Sequence, residues 1–337
     1  MAGNNFGISL SEEFIHLAYA EEKKDKIELL SYGYENLPAT FFTNLTGQVA
    51  QETAKTINDL YDKLNLGIKR VNIVLPDHFT YSQLLIMPDL PEDQLVKSIK
   101  LQADEFIPLP ISEVYIDIEV ITKLPNGKLL LLFIASRKNI VDHIFNTVTL
   151  AGLEAETLEN ELSSVGRFMS EYFKFIHEPS LVINLGNSSS SIYVVNPDFP
   201  FFQITRTSRI GYDVILRDLK VNSNLGEKSA EALKTIGLNP KGSININAIV
   251  YPVLSELFND VQKTILLAKE RYNVSIKHIY LMNNDYKIAW LIESTQNKLL
   301  LPTQSLPLST VLTPNSITQA FSQTLSSCLP VISTQIR

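Results

Sequence analysis

The sequence has a single cysteine, Cys328, among 337 residues, so no disulfide forms within the chain, which fits a reducing compartment. Its five histidines are scattered without metal-ligand spacing, and no metal site is expected. Long apolar runs are absent too. The longest, residues 129–135, lies between Lys128 and Ser136, whereas a membrane helix needs about 20 apolar residues; this run reads as a buried strand. The opening MAGNNFGISL has neither a basic lead nor a long apolar core, so it does not read as a signal peptide. There is no basic excess either: the net charge is −7, which argues against a broad nucleic-acid surface. Together these absences predict a cytoplasmic protein without a nucleic-acid partner, reaching a membrane only through another protein. What is present is ordinary globular composition, 45% hydrophobic and 19% charged. Domains of roughly 100–200 residues predict one large or two medium units.

The first half opens with three short strands, at 5–10, 14–20 and 27–34. Val49, Ala50, Ile57, Leu60 and Leu64 recur with helical spacing and predict a helix over 47–64. Strands at 71–75 and 81–87 end at Pro76 and Pro88. A second helix starts near Pro91, with Glu92 and Asp93 at its positive end. It carries Leu95, Ile99, Ala103 and Phe106 close to one face and stops at Pro108 and Pro110. Strands at 114–121 and 129–135 flank a Pro125-Asn126-Gly127 turn, and a helix over 140–151 ends at Gly152. The second half opens the same way, with strands at 181–185, 191–195 and 201–205. Helices dominate 212–272, a strand follows at 279–282, and a Ser/Thr/Leu/Pro-rich tail carries one helix near 316–326.

Two halves that each open with a strand triplet resemble the actin/Hsp70/sugar-kinase superfamily, whose lobes begin with a β-hairpin that meets nucleotide phosphates. The resemblance implies an α/β, actin-like (ASKHA) two-lobed fold with an inserted α+β subdomain. The first lobe is expected over 1–165, with the insertion at about 88–160, and the second over 166–337. The middle of the chain is more specific. Residues 90–120 contain Glu105-Phe106-Ile107-Pro108-Leu109-Pro110-Ile111, similar to the E-x-[YF]-I-P-x-P segment of the PilM family of type IV pilus assembly proteins. Residues 71–91 resemble that family's strand-turn-strand, and Ala135-Ser136-Arg137-Lys138 with Ala151-Gly152-Leu153 resemble its A-x-R-K and A-G-L pattern. Read alone, Pro108 and Pro110 are an ordinary helix stop, and Arg137 with Lys138 a surface pair at a helix start. In order, they resemble the family from about residue 5 to 290.

That resemblance implies a cytoplasmic scaffold of the pilus machine, peripherally held at the inner membrane by the N-terminal cytoplasmic segment of a PilN-like membrane protein. It implies partner contacts at Phe106, Pro108, Pro110 and Tyr115, and leaves self-association as a further mode of contact. For nucleotide, the family's first turn, D-I-G-[ST]-S, matches Ser9-Leu10-Ser11-Glu12-Glu13. The aspartate is lost, and two carboxylates would repel phosphate by several kcal/mol at ~4 Å; a plain solvated hairpin turn describes it better. The second turn, Asn184-Leu185-Gly186-Asn187-Ser188-Ser189, keeps its glycine but has Asn184 for the family's aspartate. Asparagine can bond a water yet gives a metal no charge, and a Ser-rich β-turn is the equal alternative. The adenosine turn has Asn283 and Asn284 in place of two glycines, followed by Asp285. Glu231 and Lys234 match a family helix near the sugar, or are simply an exposed charged face. Glycine is scarce, 13 residues, or about 4% against ~7% on average. The reading is therefore no enzyme, no metal, and either no cofactor or weakly held ATP. The alternatives are an active, polymerising actin-like ATPase recruiting Asp213 or Glu12, a sugar-kinase-like enzyme, and a GspL-like type II secretion domain.

Overall fold

The computed structural model describes residues 5–102, 107–235, 246–284, 287–288 and 290–336. The chain divides into two compact units.

The first unit begins with β1 (Asn5–Leu10), β2 (Phe14–Lys23), β3 (Lys26–Asn36), α1 (Gly47–Leu64) and β4 (Arg70–Leu75). It continues with β5 (Thr80–Met87), α2 (Glu92–Gln102), β6 (Val114–Lys123), β7 (Leu129–Arg137), α3 (Lys138–Leu150), β8 (Glu154–Asn160) and α4 (Glu161–Tyr172). The main sheet has the order β3-β2-β1-β4-β8. Its first three strands are antiparallel, and β4 and β8 run parallel to β1. Strand alternation sends Phe6, Ile8 and Leu10 to one face, where they meet Ile57 and Leu60 of α1 and Ile144 and Val148 of α3. Each such aliphatic side chain contributes about 1.5–3 kcal/mol by leaving water.

A separate antiparallel sheet, β5-β7-β6, is inserted after β4. Leu129, Leu131 and Phe133 of β7 form its small core with Leu95 and Ile99 of α2 and Ile107. The insertion therefore begins and ends earlier than the sequence suggests. Strand β5 pairs with β7 from Thr80–Ser136 to Met87–Leu129, which draws it into the inserted sheet. Helix α3 leaves that sheet and packs in the main core, and β8 joins the main sheet.

The second unit holds β9 (Ser180–Leu185), β10 (Ser190–Val195), β11 (Phe202–Ser208), α5 (Tyr212–Asn222), α6 (Ser229–Thr235) and α7 (Ile246–Tyr272). It ends with β12 (His278–Met282), α8 (Leu291–Leu299) and β13 (Thr303–Ser305). The sheet order β11-β10-β9-β12-β13 repeats the first unit's pattern, again with an antiparallel triplet and two parallel strands. Leu181, Ile183 and Leu185 pack with Ile215 and Leu219 of α5 and with Leu254, Leu257, Phe258 and Val261 of α7.

The tail departs from the expected lobe boundary. Residues 311–320, with α9 (Ser316–Ala320), and 328–337 belong to the first unit, while 321–327 stay with the second. The single tail helix expected is two, α9 and α10 (Leu325–Ser333). The reason is a set of polar bonds. Ile27 N donates to Val311 O at 2.9 Å and Thr313 N to Ile27 O at 2.8 Å. Asn72 Nδ2 donates to Thr334 O at 2.8 Å, Ala20 N to Gln335 Oε1 at 2.9 Å, and Arg167 Nε to Ile336 O at 3.2 Å. Arg167 also bonds Glu159 at 2.8 Å, and Thr334 Oγ1 donates to the same carboxylate at 2.5 Å. Gly7 makes this seat fit, because a Cβ there would lie 2.2 Å from Val331 O.

Candidate functional site

In the second unit the parallel strands β9 and β12 place their carboxyl ends side by side, with Met282 in register with Asn184. Asn184, the next-to-last residue of β9, is 2% exposed. The β9–β10 turn is tight: Gly186 N donates to Asn184 O at 3.1 Å, and a Cβ on Gly186 would lie 2.4 Å from Ser189 O. Gly211, just before α5, passes as close, with a Cβ 2.2 Å from Asn187 O. The first amides of α5 then donate to the turn, Tyr212 N to Gly186 O and Asp213 N to Asn187 O, both at 3.0 Å. These two helix-terminal donors, which could otherwise meet an anion, are taken by the chain's own carbonyls.

The turn after β12 folds onto the same place. Asn283 has φ 61, a left-handed conformation that asparagine tolerates. Asn283 Nδ2 donates to Asn184 Oδ1 at 2.5 Å, and Asn283 N donates to Ser326 Oγ at 3.1 Å. Asn284 is fully buried, and its side-chain oxygen and nitrogen have no hydrogen-bond partner among the described residues. Asp285 lies outside the described residues. Lys287, only 8% exposed, places Nζ 3.5 Å from Asn187 Oδ1 and 4.7 Å from the centre of the Tyr212 ring. Asn187 Nδ2 donates to Asp213 Oδ2 at 2.7 Å.

The structure thus gathers Asn184, Gly186 and Asn187 with Asn283, Lys287 and Asp213. Ser188 is half-buried and Ser189 buried in the same turn. Glu231 and Lys234 instead stand on the exposed side of α6, whose other side buries Ala232 and Leu233. Lys287 carries no sequence signal, because its partner lies 100 residues away. Among the described residues, no group of three or more His, Cys, Asp or Glu could hold a metal ion.

In the first unit, Ser9 is buried in register with His16. Ser11 closes the hairpin locally: its Oγ accepts from Phe14 N at 2.9 Å and donates to Phe14 O at 3.0 Å, while its amide donates to Phe14 O at 2.9 Å. Glu12 and Glu13 are half-buried, more sheltered than a plain solvated turn.

On the inserted sheet, Pro108 and Pro110 are exposed and Ile107 between them and α2 is buried. Tyr115 is 48% exposed. Its hydroxyl donates to Asp142 Oδ1 at 3.1 Å, and Lys138 Nζ lies 5.5 Å from its ring centre. The Asp142 bond holds the phenol proton more tightly than usual. Phe106, with Ala103 and Glu105, lies outside the described residues. No helix among the described residues is long and apolar enough to cross a membrane.

A family model described as "Type IV pilus assembly protein PilM" matches residues 7–321. Among solved structures, a PilM-PilN type IV pilus biogenesis complex matches at TM-score 0.81 and 18% identity, over 100% of both chains. The ethanolamine utilization protein EutJ from Carboxydothermus hydrogenoformans matches at TM-score 0.51 and 13% identity, over 91% of this chain and 86% of that one. A Bacteroides thetaiotaomicron protein with an actin-like ATPase fold matches at TM-score 0.53 and 10% identity, over 96% and 95%. These likenesses show the actin-like fold that the two repeated sheets display.

Proposed function

Since this chain belongs to the type IV pilus assembly protein PilM family, we propose that it serves there as a protein-binding scaffold that does not hydrolyse ATP. The observation that carries this reading is the bond from Asn283 to Asn184. Phosphoryl transfer needs charge placed to hold Mg²⁺ and align water. Here the residue matching the family's metal-side aspartate is a neutral amide. Its oxygen is already engaged by the side chain standing in for a glycine of the adenosine turn. The first turn adds nothing in compensation, since Ser11 spends its hydroxyl on Phe14.

The partner in this reading is the short N-terminal cytoplasmic segment of a PilN-like membrane protein, which would bring the chain to the membrane surface. The exposed Pro108, Pro110 and Tyr115 at the edge of the inserted sheet are its landing point. Titration calorimetry with Mg-ATP, paired with a phosphate-release assay, tests the first half. Absence of phosphate release, with or without binding heat, supports the scaffold, whereas sustained release refutes it. Titration with a synthetic partner N-terminal peptide tests the second half, and Tyr115→Ala should weaken binding by about tenfold, the loss of one aromatic anchor.

A second reading, nucleotide held without turnover, is favoured by Lys287, a buried ammonium beside the second turn. Saturable heat that disappears in Lys287→Met would support it over an empty scaffold.

A further inference from the structure

The hairpin joining β6 to β7 is the sequence Leu124-Pro125-Asn126-Gly127-Lys128, and Asn126-Gly127 is the chain's one Asn-Gly pair. Leu124 N donates to Lys128 O at 2.7 Å and Gly127 N to Leu124 O at 2.9 Å, with Gly127 at φ 78. Pro125, Asn126, Gly127 and Lys128 are all exposed. The side chain of Asn126 is aimed forward along the chain, its Oδ1 accepting from Lys128 N at 3.1 Å.

That last bond has chemical content. Attack of a backbone nitrogen on a side-chain amide carbon develops negative charge on the amide oxygen. A backbone N–H already pointing at that oxygen stabilises the charge, as in an oxyanion hole. Gly127 has no Cβ to obstruct the approach of its own nitrogen, and Asn126 and Gly127 are both exposed to water. We propose that Asn126 is a self-modification site, converting without an enzyme to aspartate and isoaspartate faster than any other asparagine of the described chain.

The reaction balances with water alone. Gly127 N gives up its proton and bonds to Asn126 Cγ. The Cγ–Nδ2 bond breaks and ammonia leaves, closing a five-membered succinimide. Water then opens either carbonyl, giving aspartate or isoaspartate; the net change is one water gained and one ammonia lost. The competing Asn-Ser pairs are restrained. Asn187 is tied to Asp213 and Lys287. Asn315 is held at both ends of its amide, by Leu29 O and by Thr318 N. Asn222 donates from Nδ2 to Asp218, which points its amide away from its follower.

The product adds a carboxylate, and in the isoaspartyl form an extra backbone atom, next to the last rung of the inserted sheet, Lys123–Leu129. The Asp89–Lys123 ion pair, 2.6 Å, lies on the same end. Tyr115 is at the opposite end of β6, about 25 Å away at ~3.3 Å per residue. The modification should therefore loosen the tip while leaving the Tyr115 end intact.

The test is incubation of the full chain at neutral pH, with isoaspartate quantified peptide by peptide by mass spectrometry and enzymatic methylation. Isoaspartate should appear first in the peptide holding Asn126. Gly127→Ala should slow it by about tenfold or more, because a Cβ crowds the attacking nitrogen. Lys128→Pro, which deletes the N–H donor to Oδ1 along with the lysine side chain, should slow it in the folded chain by more than it changes the urea-unfolded rate. Earlier accumulation at Asn187, Asn222 or Asn315 would overturn the proposal, as would a folded-state rate indifferent to Lys128→Pro.

Discussion

The two units use one strand order, yet close their leading hairpins by different means. The first unit's turn is closed chiefly from within, where Ser11 bonds Phe14 three times, with one bond from Leu37 N to Glu13 O at 2.8 Å. The second unit's turn is closed from without, by Gly186 and Gly211 letting backbones touch, by two amides of α5, and by Asn283 arriving from β12. A closure built from a single residue's bonds stands or falls with that residue. A closure built from three distant segments keeps its shape because many residues fix it.

The sharpest way to break the contrast is at the glycines. Gly211→Ala should cost about 2–3 kcal/mol in urea unfolding, because backbone carbonyls cannot recede as a side chain can. Exposed Gly47, which has nothing within 4 Å of its Cβ position, should tolerate alanine. Equal effects at the two would remove the claim that the second turn is held by close approach. Next, Asn283→Ala should cost about 1–2 kcal/mol, combining a left-handed backbone without asparagine's tolerance and the loss of the bond to Asn184 Oδ1. A double-mutant cycle with Asn184→Ala should recover part of that loss. Ser11→Ala, acting on one local closure, should cost only about 1 kcal/mol.

The smallest effect lies in the first unit's core and is read by pH. His143 of α3 is buried 4.7 Å from the Phe41 ring, and its Nε2 has no partner. Burial holds its pKa below the ordinary 6.5, so the unfolded chain takes up the proton more readily. Stability should therefore be flat above pH 6.5 and decline as pH falls below it. His143→Phe should flatten that decline in thermal melts, and an unchanged slope would assign the acid sensitivity elsewhere.

The parts legible in the sequence are those whose signal is local. Helix α1 matches its expected span because Val49, Ala50, Ile57 and Leu60 are spaced for one face. The opening strands and the Gly152 stop, at φ 73, are read equally well. Strand β8 was not legible: Glu-Ala-Glu-Thr-Leu-Glu-Asn has few apolar residues, and only parallel pairing with β4 makes it a strand. Nor were α4, α8 and β13 anticipated. The limits of the insertion were misplaced for the same reason, since β5 declares its sheet only through β7. At the candidate site, Asn184 and Gly186 could be read from a turn motif. Lys287 and the Asn283 bond depend on chain reversals that no short window contains.

The seat of residues 328–336 on the first sheet sets an order of events during synthesis. The first unit's leading strands leave the ribosome before the second unit, yet Asn72, Ala20, Glu159 and Arg167 wait for Thr334, Gln335 and Ile336. Contacts spanning 262 and 315 residues close late and slowly. The intervening unit, whose strands and helices are contiguous up to residue 310, can be complete before the one that started first. Nascent chains stalled short of residue 328 should thus hold a protease-resistant second unit beside a first unit still open to cleavage.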